Sequence, residues 1–393
     1  MKLLYFSPAS YGGIADYAHV QANALVDRGW DVTLLSTPKY PIDRGEKYLV
    51  VPILEEFQSN KTAKNKFVKG FNFASVSVTN HYRLADFIQQ HDYQYVLLGS
   101  YSEYFAPLWY RRLRKLADRG VVFSAVVHDP VRDFVLGSVW WHRLSIACGY
   151  AFLKEAFVHE TITLDTVKPM PYLKTTVIPH GTYSFAEPNE SKANMRKKLY
   201  LPLDARVMLA FGHIRDNKNL DLVIRALANF PDLYLLVAGK EQSSSQKPVS
   251  YYQNLAREVG VSDRCRWLIE FIPDTEVANL FTATDLVLLT YSSSFRSASG
   301  VLNTSAYYRK PCLASGGDSP LRSVVERYNL GIWVKPDDVD AITEGIQEWL
   351  KHPPLAEWET YFTENSWEIN AQLVTRQLLE NYSLSVRLQP SHV

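Results

Sequence analysis

The chain has 393 residues, 47% apolar and 21% charged, a globular balance on a length that fits two domains better than one core. A formal net charge of +1 argues against a dedicated nucleic-acid binder, no apolar run approaches bilayer-spanning length, and MKLLYFSPAS fits a first strand better than a signal peptide. Cys148, Cys265 and Cys312 are far apart and odd in number. They suggest neither a disulfide framework nor a metal knuckle, and fit a reduced cytoplasm.

Short apolar runs alternate with helical patterns, the signature of parallel α/β sheets. In the first half the predicted strands are KLLYFS, DVTLLS, YLVVPIL, YVLLGS, VVFSAVV and AFVHETITL. Between the first two, GGIADYAHVQANALVDRG puts Ile14, Tyr17, Ala18, Ala22, Leu25 and Val26 on one helical face, and Gly29 ends it. SNKTAKNKFVKG (59–70) is a locally basic loop. TTVIPHGTYSFAEPNESKAN, with Pro179, Gly181 and Pro188, reads as a linker. The second half gives strands RVMLAFG, YLLVAG, RWLIEFI, LVLLTY, CLASGG and GIWVK, with helices NLDLVIRALANF, YYQNLAREVG, EVANLFTAT and GVLNTSAYY. SWEINAQLVTRQLLENYSL is one long amphipathic helix with no strand after it. Two doubly wound domains facing each other would leave a cleft between the carboxyl ends of both sheets, so the loops after strands are expected to carry the chemistry.

Four loops stand out. In SYGGI, Gly12 and Gly13 let backbone approach a ligand at a helix N-terminus, with Asp16 in the first helical turn; the plain alternative is a tight strand-to-helix turn. In VVHDP, His128 ends a buried strand, where a neutral imidazole can bond a hydroxyl; on spacing alone, a satisfied core histidine is the better reading. In AFGHIRDNKNLDLVIRAL, Asp216 or Asn217 can cap the following helix. Arg215 and Lys218 then sit at its positive end, a placement that an anion such as a diphosphate between them would explain. In SFRSASGVLNTSAYYRKPCLAS, the amides of Gly300, Val301 and Leu302 are expected free at a helix start, with Ser297, Ser299 and Arg296 beside them and Thr304 one turn on. A D-x-D at Asp338 and Asp340 sits where a helix N-cap is expected and is discounted as a metal site. The P-loop, HExxH, GxSxG and CxxC patterns are missing from the sequence.

The order of GGIADY, VVHD, VIPHG, the Lys218 loop, LLVAGK, IPDTEVANLFTATDLVLLTYS, KPCLAS and SWE resembles the retaining glycosyltransferases of the GT-B fold, family 4. The resemblance is strongest over residues 177–368. It implies two Rossmann-like domains across a cleft: 1–180 on the acceptor side, 181–360 binding the nucleotide sugar, and a C-terminal helix, 361–393, crossing back to the first domain. It further implies that Gly13 contacts the donor phosphate, His128 a donor-sugar hydroxyl, and Arg215 and Lys218 the diphosphate. Gly300, Val301 and Leu302 would bind the distal phosphate, Phe271 and Ile272 the base, and Thr304 would face the ribose. Two glutamates usual in the family are Arg296 and Thr304 here, and the usual Gly-Arg is Gly212-His213.

The implied activity is metal-independent, retaining transfer of a hexose, glucose from UDP-glucose by family frequency, to a glycan or polyprenyl-linked acceptor in polysaccharide biosynthesis. No cofactor beyond the UDP-sugar co-substrate is implied. Peripheral membrane contact is considered for Lys61–Lys69, Trp109, Arg111, Arg112, Trp140 and Trp141, against an ordinary solvated face and aromatic core. The competing readings are a catalytically silent nucleotide-sugar-binding subunit and another GT-B enzyme, such as a nucleotide-sugar epimerase or a glucan phosphorylase.

Overall fold

A computed structural model describes residues 1–56, 66–128, 130, 135, 137–159, 161–183, 185–241, 246–296 and 299–387. The chain divides into two compact units, residues 1–181 with 365–393, and residues 182–364.

Unit 1 begins with β1 (Lys2–Phe6), α1 (Gly13–Asp27), β2 (Asp31–Leu35), β3 (Leu49–Val51), α2 (Lys66–His91), β4 (Tyr95–Leu98) and α3 (Ala106–Asp118). It continues through β5 (Val122–Val126), α4 (Val139–Tyr150), β6 (Glu155–Val158) and β7 (Lys174–Val177). The seven strands pair in parallel in the order β3-β2-β1-β4-β5-β6-β7. Every residue of β4, β5 and β6 is buried. That is why they read as continuous apolar runs: helices cover both faces of a parallel sheet. Strand β7, KTTV, is mostly exposed and, among the described residues, pairs with β6 alone. The sequence reading placed it in a linker, because an edge strand facing water needs no apolar run. The expected strand AFVHETITL also stops early, at Val158, which puts His159 in the turn beyond it.

Unit 2 contains α5 (Lys192–Lys198), β8 (Arg206–Phe211), α6 (Leu220–Leu227), β9 (Leu233–Ala238), α7 (Val249–Glu258), β10 (Cys265–Leu268) and α8 (Asp274–Ala283). After these come β11 (Leu286–Thr290), α9 (Gly300–Tyr307), β12 (Cys312–Ser315), α10 (Pro320–Arg327), β13 (Gly331–Trp333), α11 (Val339–Lys351) and α12 (Trp358–Glu364). Its six parallel strands run β10-β9-β8-β11-β12-β13. The buried Arg196 of α5 ties that helix to the start of β11: Nη2 donates to Asp285 at 2.8 Å and Nε to the Ala283 carbonyl at 3.0 Å.

The last helix, α13 (Trp367–Arg387), belongs to unit 1 and packs on α1. Ala371, Val374 and Leu378 are fully buried, and burial of a valine or leucine contributes about 1.5–3 kcal/mol. Polar bonds fix the register. Gln21 donates to Asn370 at 2.7 Å, Asn370 donates to the Pro179 carbonyl at 2.7 Å, and Trp30 donates to Thr375 at 2.9 Å. Asn381 donates at 2.9 Å to the buried Glu155 carboxylate.

In each sheet the strand order reverses beside the first strand, between β1 and β4 and between β8 and β11. The crevice at the carboxyl ends of such a pair is where doubly wound sheets bind ligands.

Candidate functional site

In unit 1 the turn after β1 ends at Gly12, with φ +77°, a conformation open to glycine and strained for other residues. Open space surrounds the position a Cβ would take on either Gly12 or Gly13. The Asp16 carboxylate accepts from Arg44 Nη1 at 2.8 Å, so this acid is already paired within unit 1.

His128 follows β5. Its Nε2 lies 3.0 Å from the Gly99 carbonyl. A carbonyl can only accept, so Nε2 carries the proton and a neutral ring keeps Nδ1 as an acceptor. Two more histidines gather there. His159 follows β6 and His180 lies just beyond β7. All three rings stand around Tyr17 of α1, at centroid distances of 4.6 Å for His128 and 5.4 Å for each of the others. His128 is 5.4 Å from His159, and His159 is 4.9 Å from His180. Trp367 meets Tyr17 edge-on at 4.9 Å. Burial lowers the pKa of each histidine, His180 to about 4. His128 lowers its two neighbours further, and His180 adds to the effect on His159. The cluster is therefore three neutral imidazoles at neutral pH. Among the described residues no group of three or more His, Cys, Asp or Glu has metal-holding geometry.

The sequence alone singles out neither His159, hidden by the expected strand around it, nor His180, read as part of the linker. The available signal was repetition: VVHD, FVHE and IPHG each put a histidine after an apolar run.

In unit 2 the turn after β8 begins at Gly212, φ +86°. A Cβ there would stand 3.4 Å from Lys218 Nζ and 3.9 Å from Val301 Cγ2, so these three residues are brought together. Lys218 Nζ donates to the Phe211 carbonyl at 2.6 Å. Burial, and then the charge of Arg215, push its pKa down to about 8. Arg215 Nε is buried without a hydrogen-bond partner. Among the described residues neither cation has a carboxylate partner. A charged amine and a guanidinium with an unpartnered Nε at one turn form an arrangement suited to an anion. His213, beside them, is exposed.

The expected cap of α6 is corrected. Residues 216–218 form a 3-10 turn and Asn219, at φ +51°, is the N-cap, with no side-chain cap bond. Asp216 turns away and accepts from the Lys247 amide at 2.9 Å and from the Tyr252 hydroxyl at 3.2 Å. Asn219 instead donates to Asp337 at 2.9 Å, and Asp337 accepts from the Ser293 amide at 2.9 Å, so the loops after β8 and β11 share one carboxylate.

At the start of α9 the Leu302 amide is not free. It donates to the Ser299 carbonyl at 3.1 Å and to the Ser299 hydroxyl at 3.3 Å. That hydroxyl also meets the Tyr291 hydroxyl at 2.9 Å, and Tyr291 stacks on Phe295 at 3.9 Å. Gly300 has open space at its Cβ position. Thr304 is buried, and its hydroxyl donates back to the Gly300 carbonyl at 3.3 Å. Arg296 is exposed; Ser297 lies outside the described residues. Phe271 is 73% exposed, whereas Ile272 is packed in the unit 2 core, which leaves only its backbone for a base. Asp338 does cap α11, accepting from the amides of Asp340 and Ala341 at 3.1 and 3.2 Å.

Of the residues considered for membrane contact, Trp109 is corrected to the core. It is 1% exposed, stacks on His81 at 3.7 Å and donates to the Tyr104 carbonyl. Arg112 pairs with Asp86 at 3.0 Å, while Arg111 is exposed. Trp140 is 66% exposed and meets Trp141 edge-on. Residues 61–65, and the side chains of 66–69, lie outside the described residues. Among the described residues no helix is long and apolar enough to cross a membrane.

Residues 191–366 match the family model for Glycosyl transferases group 1. A stretch of 104 residues is 38% identical to a D-inositol 3-phosphate glycosyltransferase of Mycobacterium tuberculosis (strain ATCC 25618 / H37Rv). That match covers 25% of this chain and 21% of the relative, about a fifth of its length. The fold is similar to Anabaena Alr3699/HepE solved with UDP-glucose, at a TM-score of 0.66 and 15% identity over 98% of this chain and 100% of that one. It is also similar to a sucrose-phosphate synthase from Thermosynechococcus elongatus, at 0.65 and 16% over 98% and 99%. A glycosyltransferase from Rickettsia africae ESF-5 gives 0.64 and 16% over 99% of each chain. The chain has the GT-B fold, and its second half matches the Glycosyl transferases group 1 model.

Proposed function

We propose that the chain is a retaining, metal-independent hexosyltransferase that moves glucose from UDP-glucose to a glycan or polyprenyl-linked glycan in polysaccharide biosynthesis. One observation carries this reading. Arg215 and Lys218, without carboxylate partners among the described residues, share the Gly212 turn at the β8–β11 crevice of a group 1 glycosyltransferase segment. Leaving-group departure puts negative charge on the diphosphate, and two preplaced cations lower that barrier without reorganising. They supply the positive charge for which other transferases use a metal, and this supports metal independence. The His128 ring, with Nδ1 as acceptor, suits a sugar hydroxyl. The UDP-glucose in the Anabaena neighbour's structure supports the donor assignment. The retaining outcome rests on the family 4 resemblance.

The acceptor reading has its own support in unit 1. Leu108, Val139, Trp140 and Leu144 are exposed on α3 and α4, which pack together. Arg111 and Arg143 are exposed on the same two helices. Apolar side chains interleaved with cations suit an anionic membrane surface carrying a lipid-linked glycan, peripheral to the inner face of the plasma membrane.

The test is UDP release from a panel of UDP-, GDP- and ADP-sugars, with and without chelator and without acceptor. Release from UDP-glucose alone, indifferent to chelator and lost in Lys218→Ala, is expected. A second reading is favoured by Thr304, whose hydroxyl is turned to its own helix where the family has a glutamate. It is a nucleotide-sugar-binding subunit without turnover. A melting temperature raised by UDP-glucose, with no UDP released even when lipid-linked acceptors are supplied, would decide for it.

A further inference from the structure

Unit 2 also has a cavity that shares no residue with the Arg215–Lys218 turn. It opens at the carboxyl ends of β12 and β13 with about 870 Å³ of solvent-connected space. Asp318, Ser319, Arg322, Trp333 and Lys335 line it.

Ser319 is the N-cap of α10, yet it makes no cap bond. Among the other polar N-caps of unit 2, Ser191, Ser299 and Asp338 each accept from an amide of the first turn, and Asn219, which does not, spends its side chain on Asp337. Ser319 is only 8% exposed, and its Oγ is buried without any hydrogen-bond partner. A buried hydroxyl left unpaired costs free energy, so such a group points to something that completes it. Pro320 opens α10 and has no N–H, so the positive end of the helix rests on the amides of Leu321 and Arg322, which the serine does not cap.

Two cations border the same space. Arg322 pairs with Glu326 at 2.9 Å in an exposed i,i+4 pair, and the exposed Lys335 pairs with the half-buried Asp338 at 2.9 Å. Exposed pairs of this kind are worth little, so either cation can turn to a stronger anion. The Arg322 guanidinium lies 5.8 Å from the Trp333 ring centroid. Asp318 is the one acid of the lining. It disfavours a bare anion but can accept a hydroxyl bond, and the half-buried Trp333 offers apolar ring surface.

We propose that this cavity binds a phosphate monoester of a sugar or polyol. The phosphoryl group sits on Ser319 Oγ, the first-turn amides of α10 and Arg322. The carbon skeleton lies along Trp333, with a hydroxyl on Asp318. The site is independent of the donor site and does not require the transferase reading.

Calorimetric titration of the full chain tests it with three probes: glucose 6-phosphate, inorganic phosphate and glucose. Lys218→Ala is the background, so that the first anion site does not contribute. Glucose 6-phosphate is expected to bind about tenfold more tightly than inorganic phosphate, and glucose not at all. Arg322→Ala should weaken binding about tenfold or more, the loss of one charge-assisted bond. Ser319→Ala should weaken it severalfold while leaving the melting temperature unchanged, because no bond in the fold is lost. Loss of all phosphate binding in the Lys218→Ala background, or full binding in Arg322→Ala, overturns the site. Equal affinity for the two phosphates overturns the sugar half of the assignment.

Discussion

After β5, β6 and β7 unit 1 places His128, His159 and His180 around Tyr17, whereas after β8 unit 2 places Arg215 and Lys218. Both are polar clusters beyond the carboxyl ends of a parallel sheet, built on different chemistry. In unit 1 burial holds the imidazoles neutral, so each ring has one donor and one acceptor. That set matches hydroxyls. In unit 2 Lys218, with its pKa lowered to about 8, stays mostly charged at pH 7 beside Arg215. That set matches phosphates. The proposed function makes of this difference a division of labour between reading a sugar and holding a leaving group. Each set also has a cost to the fold: the histidines lose stability as acid protonates them, and a half-buried ammonium has no carboxylate partner among the described residues.

The hardest way to break this comparison is to remove the ammonium. Lys218→Ala should lower donor turnover about 100-fold or more, the usual scale for losing a preorganised charge at a leaving group. Lys218→Met should do the same while leaving the melting temperature unchanged or raised, since a buried charge is replaced by an apolar chain. A large fall in melting temperature would instead make Lys218 a structural residue. The pH dependence has a definite sign. The folded pKa, about 8, lies below the ordinary 10.5, and only the protonated amine pairs with a diphosphate. In the absence of other titrations, donor affinity should be flat below about pH 7 and fall as pH rises through 8. Calorimetry in buffers from pH 6.5 to 9.5 reads this directly.

The next effect belongs to the other end. The three histidines have folded pKa values below the ordinary 6.5, with His180 at about 4. Between those values the unfolded chain binds more protons than the folded one. Stability is therefore present above pH 6.5 and lost as pH falls toward 4. The loss should be on the order of 2 kcal/mol per strongly shifted ring, read as the fall in urea midpoint from pH 7 to pH 5. His159→Phe should flatten that dependence. If it leaves the slope unchanged, the cluster is not the acid-sensitive element, and His81, buried against Trp109 and also lowered to about 4, takes its place.

A smaller effect tests the turn before α1. Gly12→Ala forces an alanine to φ +77° and should cost about 1–2 kcal/mol. The added methyl meets open space, so a thermal melt reads backbone strain alone. A melting temperature equal to that of the parent would mean that the turn relaxes and that its shape is not fixed.

How far the sequence carried this picture follows from what each residue is bonded to. Apolar strands such as YVLL and LVLLT were visible because both faces are buried, and the tail helix because its apolar residues follow helical spacing. The β7 edge was not, since KTTV faces water. Arg215 and Lys218 stood out as cations at a strand-to-helix turn. The true cap of α6 was invisible because Asn219 works through an αL backbone and a bond to Asp337, a residue 118 positions away. Trp109 and Ile272 looked available in a linear reading, and only packing shows that they are core. The same holds for the Leu302 amide, which Ser299 occupies.

The smallest effect draws the finest line through the comparison. If unit 2 holds phosphates and leaves hydroxyls to unit 1, polar side chains of α9 should be dispensable unless they contribute charge. Thr304 is the sharpest case, because the usual family pattern puts a glutamate there. Its hydroxyl already bonds the Gly300 carbonyl at 3.3 Å and its side chain is buried. Valine has the same branched shape, and the bond lost is a long back-bond of the kind that contributes little to a helix. Thr304→Val should therefore change the melting temperature by no more than a degree or two and donor affinity by less than about twofold. A tenfold loss of UDP-glucose affinity with an unchanged melt would mean that Thr304 leaves Gly300 to bind the donor. Unit 2 would then read hydroxyls as well as charge, and the division of labour between the two ends would fail.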